Sequence, residues 1–77
     1  MKIQKGRYQH YKGHAYEVID AVMHSETEEV LVLYRPLYNT KVQEEQGIEL
    51  WVRPYDMFFE NVETEQGSVA RFKYMND

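Results

Sequence analysis

The sequence predicts an all-β domain: a small SH3-like barrel of five strands with one short helical turn before the last strand, an OB-like barrel being the alternative. Three observations lead there. Short runs rich in β-branched and aromatic residues recur along the chain, separated by polar or Gly-containing turns. The most apolar run, VLVLY at residues 30–34, lacks a helical period and meets Pro36 almost at once, so it reads as a strand. Pro54 ends a second such run and suits the first position of a short helix, PYDMFFE, ahead of a final alternating segment.

Taken in order, Arg7 to Tyr11 forms the first strand, and Lys12-Gly13 the tight turn after it, Gly13 supplying a positive φ. From His14 to Ser25 the chain is β-like but alternates imperfectly. One set holds His14, Tyr16, Val18, Asp20, Val22 and His24; the other holds Ala15, Glu17, Ile19, Ala21 and Met23. A strand with one buried face alternates cleanly, so a bend or bulge near Asp20 is expected to exchange the faces. SETEE, residues 25–29, is a polar connection. Ser25 and Glu28 also match a helix capping box, but the β-branched run and Pro36 that follow outweigh it. VLVLYRP is then a strand covered on both faces.

Residues 37–48, LYNTKVQEEQGI, form a polar loop ending at Gly47, and its charged middle, Lys41 to Gln46, suits one helical turn equally well. ELWVRP, residues 49–54, is the fourth strand, with Leu50 and Val52 on one face and Glu49, Trp51 and Arg53 on the other. In the helix that follows, Met57 or Phe58 plugs the barrel end. ETEQGS is the last turn, tight at Gly67. VARFKY, residues 69–74, is the fifth strand, setting Val69, Arg71 and Lys73 against Ala70, Phe72 and Tyr74.

The 77 residues make one domain, 1–77, with 7 Tyr, 3 Phe and 1 Trp to build a core that aliphatic residues alone would not fill. There is no cysteine, hence no disulfide and no thiolate metal site, and a reducing cytoplasm is the expected location. The N-terminus has no apolar run of signal-peptide type, and nothing in the sequence is long and apolar enough to span a membrane. The net charge of −4 is unevenly spread: Lys2, Lys5, Arg7 and Lys12 lie in an acid-free leader, and all 13 acids follow it. The balance argues against broad nucleic-acid binding, while the leader is a candidate anion contact or a Lys-guarded strand edge.

The blocks GxYxHYKGxxYEV, HSET, VLYRxLY, LWVRPxxMFxE and RFxY carry a resemblance. They comprise Gly6, Tyr8, His10 to Gly13, Tyr16 to Val18, His24 to Thr27, Val32 to Arg35, Leu37, Tyr38, Leu50 to Pro54, Met57, Phe58, Glu60, Arg71, Phe72 and Tyr74. Together they resemble a small bacterial family known only as domain of unknown function 1653. The match covers nearly the whole chain and is weakest over residues 39–48. It implies a stand-alone bacterial domain of SH3-like form, and brings no activity, cofactor or catalytic residue with it.

Three sets of residues are candidates for function. His10, His14 and His24, with Glu26, are the residue types of an N/O metal site or a general base in a small metal-dependent hydrolase. However, a straight strand would hold His14 and His24 about 33 Å apart, so hydrogen-bonded surface histidines are expected, with no metal and no cofactor. HSET places Ser25 and Thr27 beside His24 and Glu26, but neighbours in one turn rarely converge as nucleophile and base, and local turn hydrogen bonds are the simpler role. The third set is an aromatic–arginine face: Tyr8, Tyr11, Tyr34, Arg35, Trp51 and Arg53. Rings with polar tips mixed with guanidinium groups stack planar ligands or grip a peptide, though the same tyrosines also serve as core with hydroxyls at the rim. The expected function is a non-enzymatic module that binds a peptide, a protein partner or its own copy. Single-stranded RNA held by the rings and the basic leader is the alternative, and no membrane is involved.

Overall fold

The computed structural model describes residues 2–75. The chain forms β1 (Gly6–His10), β2 (Ala15–Met23), β3 (Val30–Pro36), α1 (Lys41–Gln46), β4 (Trp51–Pro54), α2 (Tyr55–Phe58), β5 (Asn61–Thr64), β6 (Gly67–Ala70) and β7 (Phe72–Tyr74). Five strands make an antiparallel sheet in the order β4-β3-β2-β1-β7, and β5 and β6 pair separately as a hairpin. The all-β class predicted from the sequence holds. The backbone ladders leave β4 and β7 as edges, and side chains bridge them: the Arg53 guanidinium carbon on β4 lies 5.5 Å from the ring centre of Phe72 on β7.

The β1–β2 turn closes as its glycine demands. Gly13 has φ 113°, its N–H donates to the His10 carbonyl, and His10 N–H donates to the His14 carbonyl, each at 2.8 Å. The expected bulge lies where the alternation fails. Val18 pairs with Tyr34 and Asp20 with Leu33, so Ile19 is the extra residue. Tyr16 and Val18 face the core before it, and Ala21, opposite Val32, takes over the inward set after it.

Residues 25–29 form a tight connection and not a helix. His24 N–H donates to the Glu29 carbonyl at 2.8 Å, and Glu28 adopts a left-handed φ of 59°. The middle of the 37–48 loop does make a helical turn, α1. Thr40 Oγ1 accepts from Gln43 N–H at 3.0 Å, and left-handed Gly47 donates to the Gln43 carbonyl at 2.9 Å. Both ends are capped and no residue of the helix is buried, so α1 rides on the surface.

α2 is four residues long without a side-chain cap, and packing holds it. Phe58 is fully buried while Met57 is exposed, which resolves the choice of plug. Phe58 stacks parallel on Phe72 at 4.0 Å and meets Tyr8 and Tyr34 edge-on at 5.6 and 5.3 Å. Together with Tyr16, Val18 and Val32 these rings form the core.

The last segment departs from the expected single strand over 69–74. Residues 61–70 fold on themselves as the β5–β6 hairpin, the chain bends at Arg71, and only Phe72–Tyr74 join β1. The cause is local anchoring of Arg71. Its N–H donates to the Glu60 carbonyl at 3.1 Å, its guanidinium pairs with Glu60 Oε1 at 2.6 Å, and its carbonyl accepts from Tyr11 N–H at 3.0 Å. No helix among the described residues is long and apolar enough to cross a membrane.

Candidate functional site

The fold divides the six residues of the predicted aromatic–arginine face. Tyr8 and Tyr34 are core, 4% and 2% exposed. The Tyr8 hydroxyl donates to the Gln4 carbonyl at 2.8 Å, and burial raises its pKa above the ordinary tyrosine value, with Tyr74 and Tyr55 adding to the rise. Arg35 lies on the outer face, exposed, with its Nε 2.7 Å from Glu17 Oε1. Tyr11 is at the surface beyond the end of β1.

Trp51 and Arg53 share a face, as the alternation predicted, but it is the inner one. Trp51 stands opposite Tyr34 and Arg53 opposite Val32, two buried residues, whereas Leu50 and Val52 are each 54% exposed. A ligand-gripping face that includes Trp51 and Arg53 implies that Leu50 and Val52 turn inward. The register of β4 against β3 decides otherwise, because the Trp51 ring has more area to bury against Tyr34 and Tyr16, at 6.1 and 6.2 Å, than either aliphatic side chain.

Around these two residues the inner face ends in a ring-lined rim. The Tyr16 and Tyr38 hydroxyls are 2.8 Å apart, and His14 stacks on Tyr38 at 4.3 Å. Burial, then the hydrogen bond to Tyr38, pushes the Tyr16 phenol far above its usual pKa, so it stays neutral. Arg53 lies over the Phe72 ring, and its Nε reaches the Tyr34 hydroxyl at 3.4 Å. His10 meets the edge of Phe72 at 4.9 Å. Burial lowers the His10 pKa, and the positive charges of Arg53, Arg71, Lys12 and His14 lower it further. Several cationic side chains thus lie near His10 on a net acidic chain, Arg71 among them paired with Glu60.

A second feature adjoins the rim. An open groove of about 630 Å³ runs between the end of the β1–β7 pair and the β5–β6 hairpin. Gln9, His10, Tyr11 and Lys73 form one wall, and Thr64 to Gln66, Val69 and Ala70 the other. His10 belongs to both features. The groove did not emerge from the sequence, because it exists only once the hairpin separates from the sheet. The available signal was the pair of valines, Val62 and Val69, flanking the Gly67 turn, where two short strands and not one are needed to bury both side chains.

The other candidates disperse. Lys5 pairs with Asp20 at 3.5 Å, Arg7 stands opposite Glu17 in the β1–β2 ladder, Lys12 lies 5.8 Å from the Tyr11 ring centre, and Lys2 is exposed. His24 Nδ1 accepts from the Glu26 and Thr27 amides at 3.2 and 3.3 Å, and Thr27 Oγ1 accepts from Glu29 N–H at 3.2 Å, so HSET stabilises its own turn. His10 Nδ1 likewise accepts from Lys12 N–H at 3.1 Å. Among the described residues no group of three or more His, Asp or Glu is arranged to hold a metal ion.

Comparison with known proteins agrees with the resemblance carried by the sequence blocks. A crystal structure of a DUF1653 protein from Bordetella bronchiseptica is similar at a TM-score of 0.83 with 33% identity, covering 95% of this chain and 87% of that one. No curated protein matches significantly. The sequence profile of the family described as "Protein of unknown function (DUF1653)" matches residues 6–74, nearly the whole described fold, and the chain belongs to that family.

Proposed function

We propose that the chain is a non-enzymatic interaction module, holding a peptide segment of a protein partner between its β5–β6 hairpin and the β1–β7 edge, beside the ring-lined rim. The observation that carries this reading is the groove of about 630 Å³, within the size range of ligand sites. Its walls mix a phenol, side-chain amides, an ammonium group, a carboxylate and small apolar side chains, from Tyr11, Gln9, Gln66, Lys73, Glu65 and Val69. Such walls suit an extended peptide: the amides and the ammonium meet backbone carbonyls, and the ring supplies contact area at low entropic cost. His10 at the groove end and Arg53 of the rim both lie against the Phe72 ring, which places the two features on either side of one core residue.

Catalysis has less support, because the Nδ1 atoms of His10 and His24 are engaged by backbone amides. Nucleic-acid binding has less as well, because Lys5 and Arg7 of the basic leader stand against Asp20 and Glu17. The order of the sheet, in which the last strand returns to pair with the first after a helical turn, supports an SH3-like curl. The cysteine-free chain supports a reducing, cytoplasmic setting.

The test is an NMR titration of labelled protein with blocked pentapeptides grouped as acidic, basic and neutral aromatic. Saturable shifts are expected at Tyr11, Val69 and Lys73 and at the Trp51 indole, and Tyr11→Ala should weaken binding by about tenfold. Shifts confined to the outer face, at Met23, Leu50 and Val52, would overturn the reading.

A further inference from the structure

Arg35 has a carboxylate within contact distance in Glu17, at 2.7 Å, and Arg71 has one in Glu60, at 2.6 Å. Arg53 differs. It is half-buried on the inner face, and its partners among the described residues are the Phe72 ring and the Tyr34 hydroxyl, the latter through Nε at 3.4 Å. Its two terminal nitrogens make no hydrogen bond among the described residues. They are not sealed from solvent either, since among the described residues the one buried side-chain polar atom lacking a partner is Arg71 Nε. A partly desolvated guanidinium without a counter-charge is costly to keep.

Among the described residues, the contacts around Arg53 leave the far end of its guanidinium unengaged. The guanidinium lies against the Phe72 ring and reaches the Tyr34 hydroxyl through Nε, leaving its two terminal nitrogens with paired N–H donors in the fork that matches a carboxylate. Trp51, two residues away on the same inner face, offers a half-buried ring beside it. Lys12 and Lys73 place positive charge near His10 at the groove end, with the Glu65 carboxylate on the opposite wall.

We infer that Arg53 receives a side-chain or terminal carboxylate of the partner, which makes acidic peptide segments the ligand class of this module. The inference rests on the peptide-binding reading above for its partner, but the anion receptor itself is testable without any peptide. Acetate titrated into the labelled protein should produce saturable shifts of the Arg53 Nε–Hε and Trp51 indole signals that chloride does not reproduce. A blocked peptide of alternating Ala and Glu should bind at least about tenfold more tightly than its Gln counterpart. Arg53→Gln should abolish both effects. Arg53→Lys, which keeps the charge and loses the fork, should retain the acetate shift in weakened form. Amide spectra of the two variants establish that each is folded.

Acetate saturation that disappears in Arg53→Gln supports the receptor even where no peptide binds, in which case the peptide-binding reading fails alone. Peptide binding equal for Glu and Gln sequences, or unchanged in both Arg53 variants, overturns the receptor and leaves the module reading intact. Tight binding of inorganic phosphate or of a short single-stranded RNA with no response to acetate or to the Glu peptide overturns the carboxylate assignment.

Discussion

Replacing Phe58 with alanine is the sharpest test of how this fold is held together. α2 has four residues and no side-chain cap, so its position depends on one fully buried ring. That ring stacks on Phe72 at 4.0 Å and touches Tyr8, Tyr34 and Phe59. Burying a phenylalanine removes on the order of 200 Å² from water, which at about 25 cal/mol per Å² gives about 5 kcal/mol. Measured Phe→Ala substitutions in cores cost about 3–5 kcal/mol. A chain of 77 residues has about 4–12 kcal/mol of total stability, so the loss is a large part of it. Urea unfolding followed by Trp51 fluorescence should show a midpoint lower by about 3 M or more, taking a slope of about 1 kcal/mol/M for so short a chain. In the extreme the variant is unfolded without denaturant. Phe58→Leu keeps an apolar side chain in place but gives up the ring contacts, and should cost roughly half as much. A loss below about 1.5 kcal/mol for Phe58→Ala would refute the view that this ring joins α2, β3 and β7 into one core.

Two further expectations separate the inner from the outer face. Because the folded pKa of His10 lies below its unfolded value of about 6.5, the unfolded state binds more protons in that range. Stability should thus be fully present above about pH 6.5 and decline as pH falls from there through the lower folded pKa; urea midpoints between pH 7.5 and 5 measure it, and His10→Asn, which retains an acceptor for Lys12 N–H, should flatten the dependence. Arg35→Ala breaks an exposed ion pair with Glu17 and should change stability by less than about 1 kcal/mol, as read from the same urea curves, while leaving the acetate response of Arg53 unaltered.

Much of the architecture was legible where the governing physics is local. Gly13 announced a turn because its φ of 113° is a conformation other residues avoid. The broken alternation around Asp20 announced the bulge, because a strand with a buried face has no other way to exchange its inward set. Pro54 announced the end of β4 and the start of α2, and Thr40 and Gly47 flank the one turn of helix that the 37–48 loop was read as able to make. The split of the last segment was not legible. VARFKY alternates well enough for one strand, and the bend at Arg71 comes from Glu60, eleven residues away. The groove depends on that bend and was hidden with it.

From the order of residues alone follow the all-β class, the succession of strands and turns as far as α2, the bulge and the placing of Trp51 with Arg53 on one face of β4. Those features arise from backbone sterics and from the two-residue period of a strand, which act between near neighbours. Which face of β4 turns inward, whether Tyr8 and Tyr34 are core, and which arginines find a carboxylate were settled only by tertiary structure. Each is a matter of register or contact between segments far apart in the chain. Period alone marks two faces without saying which is inside, and the register that places Trp51 against Tyr34 and Arg53 against Val32 makes that choice.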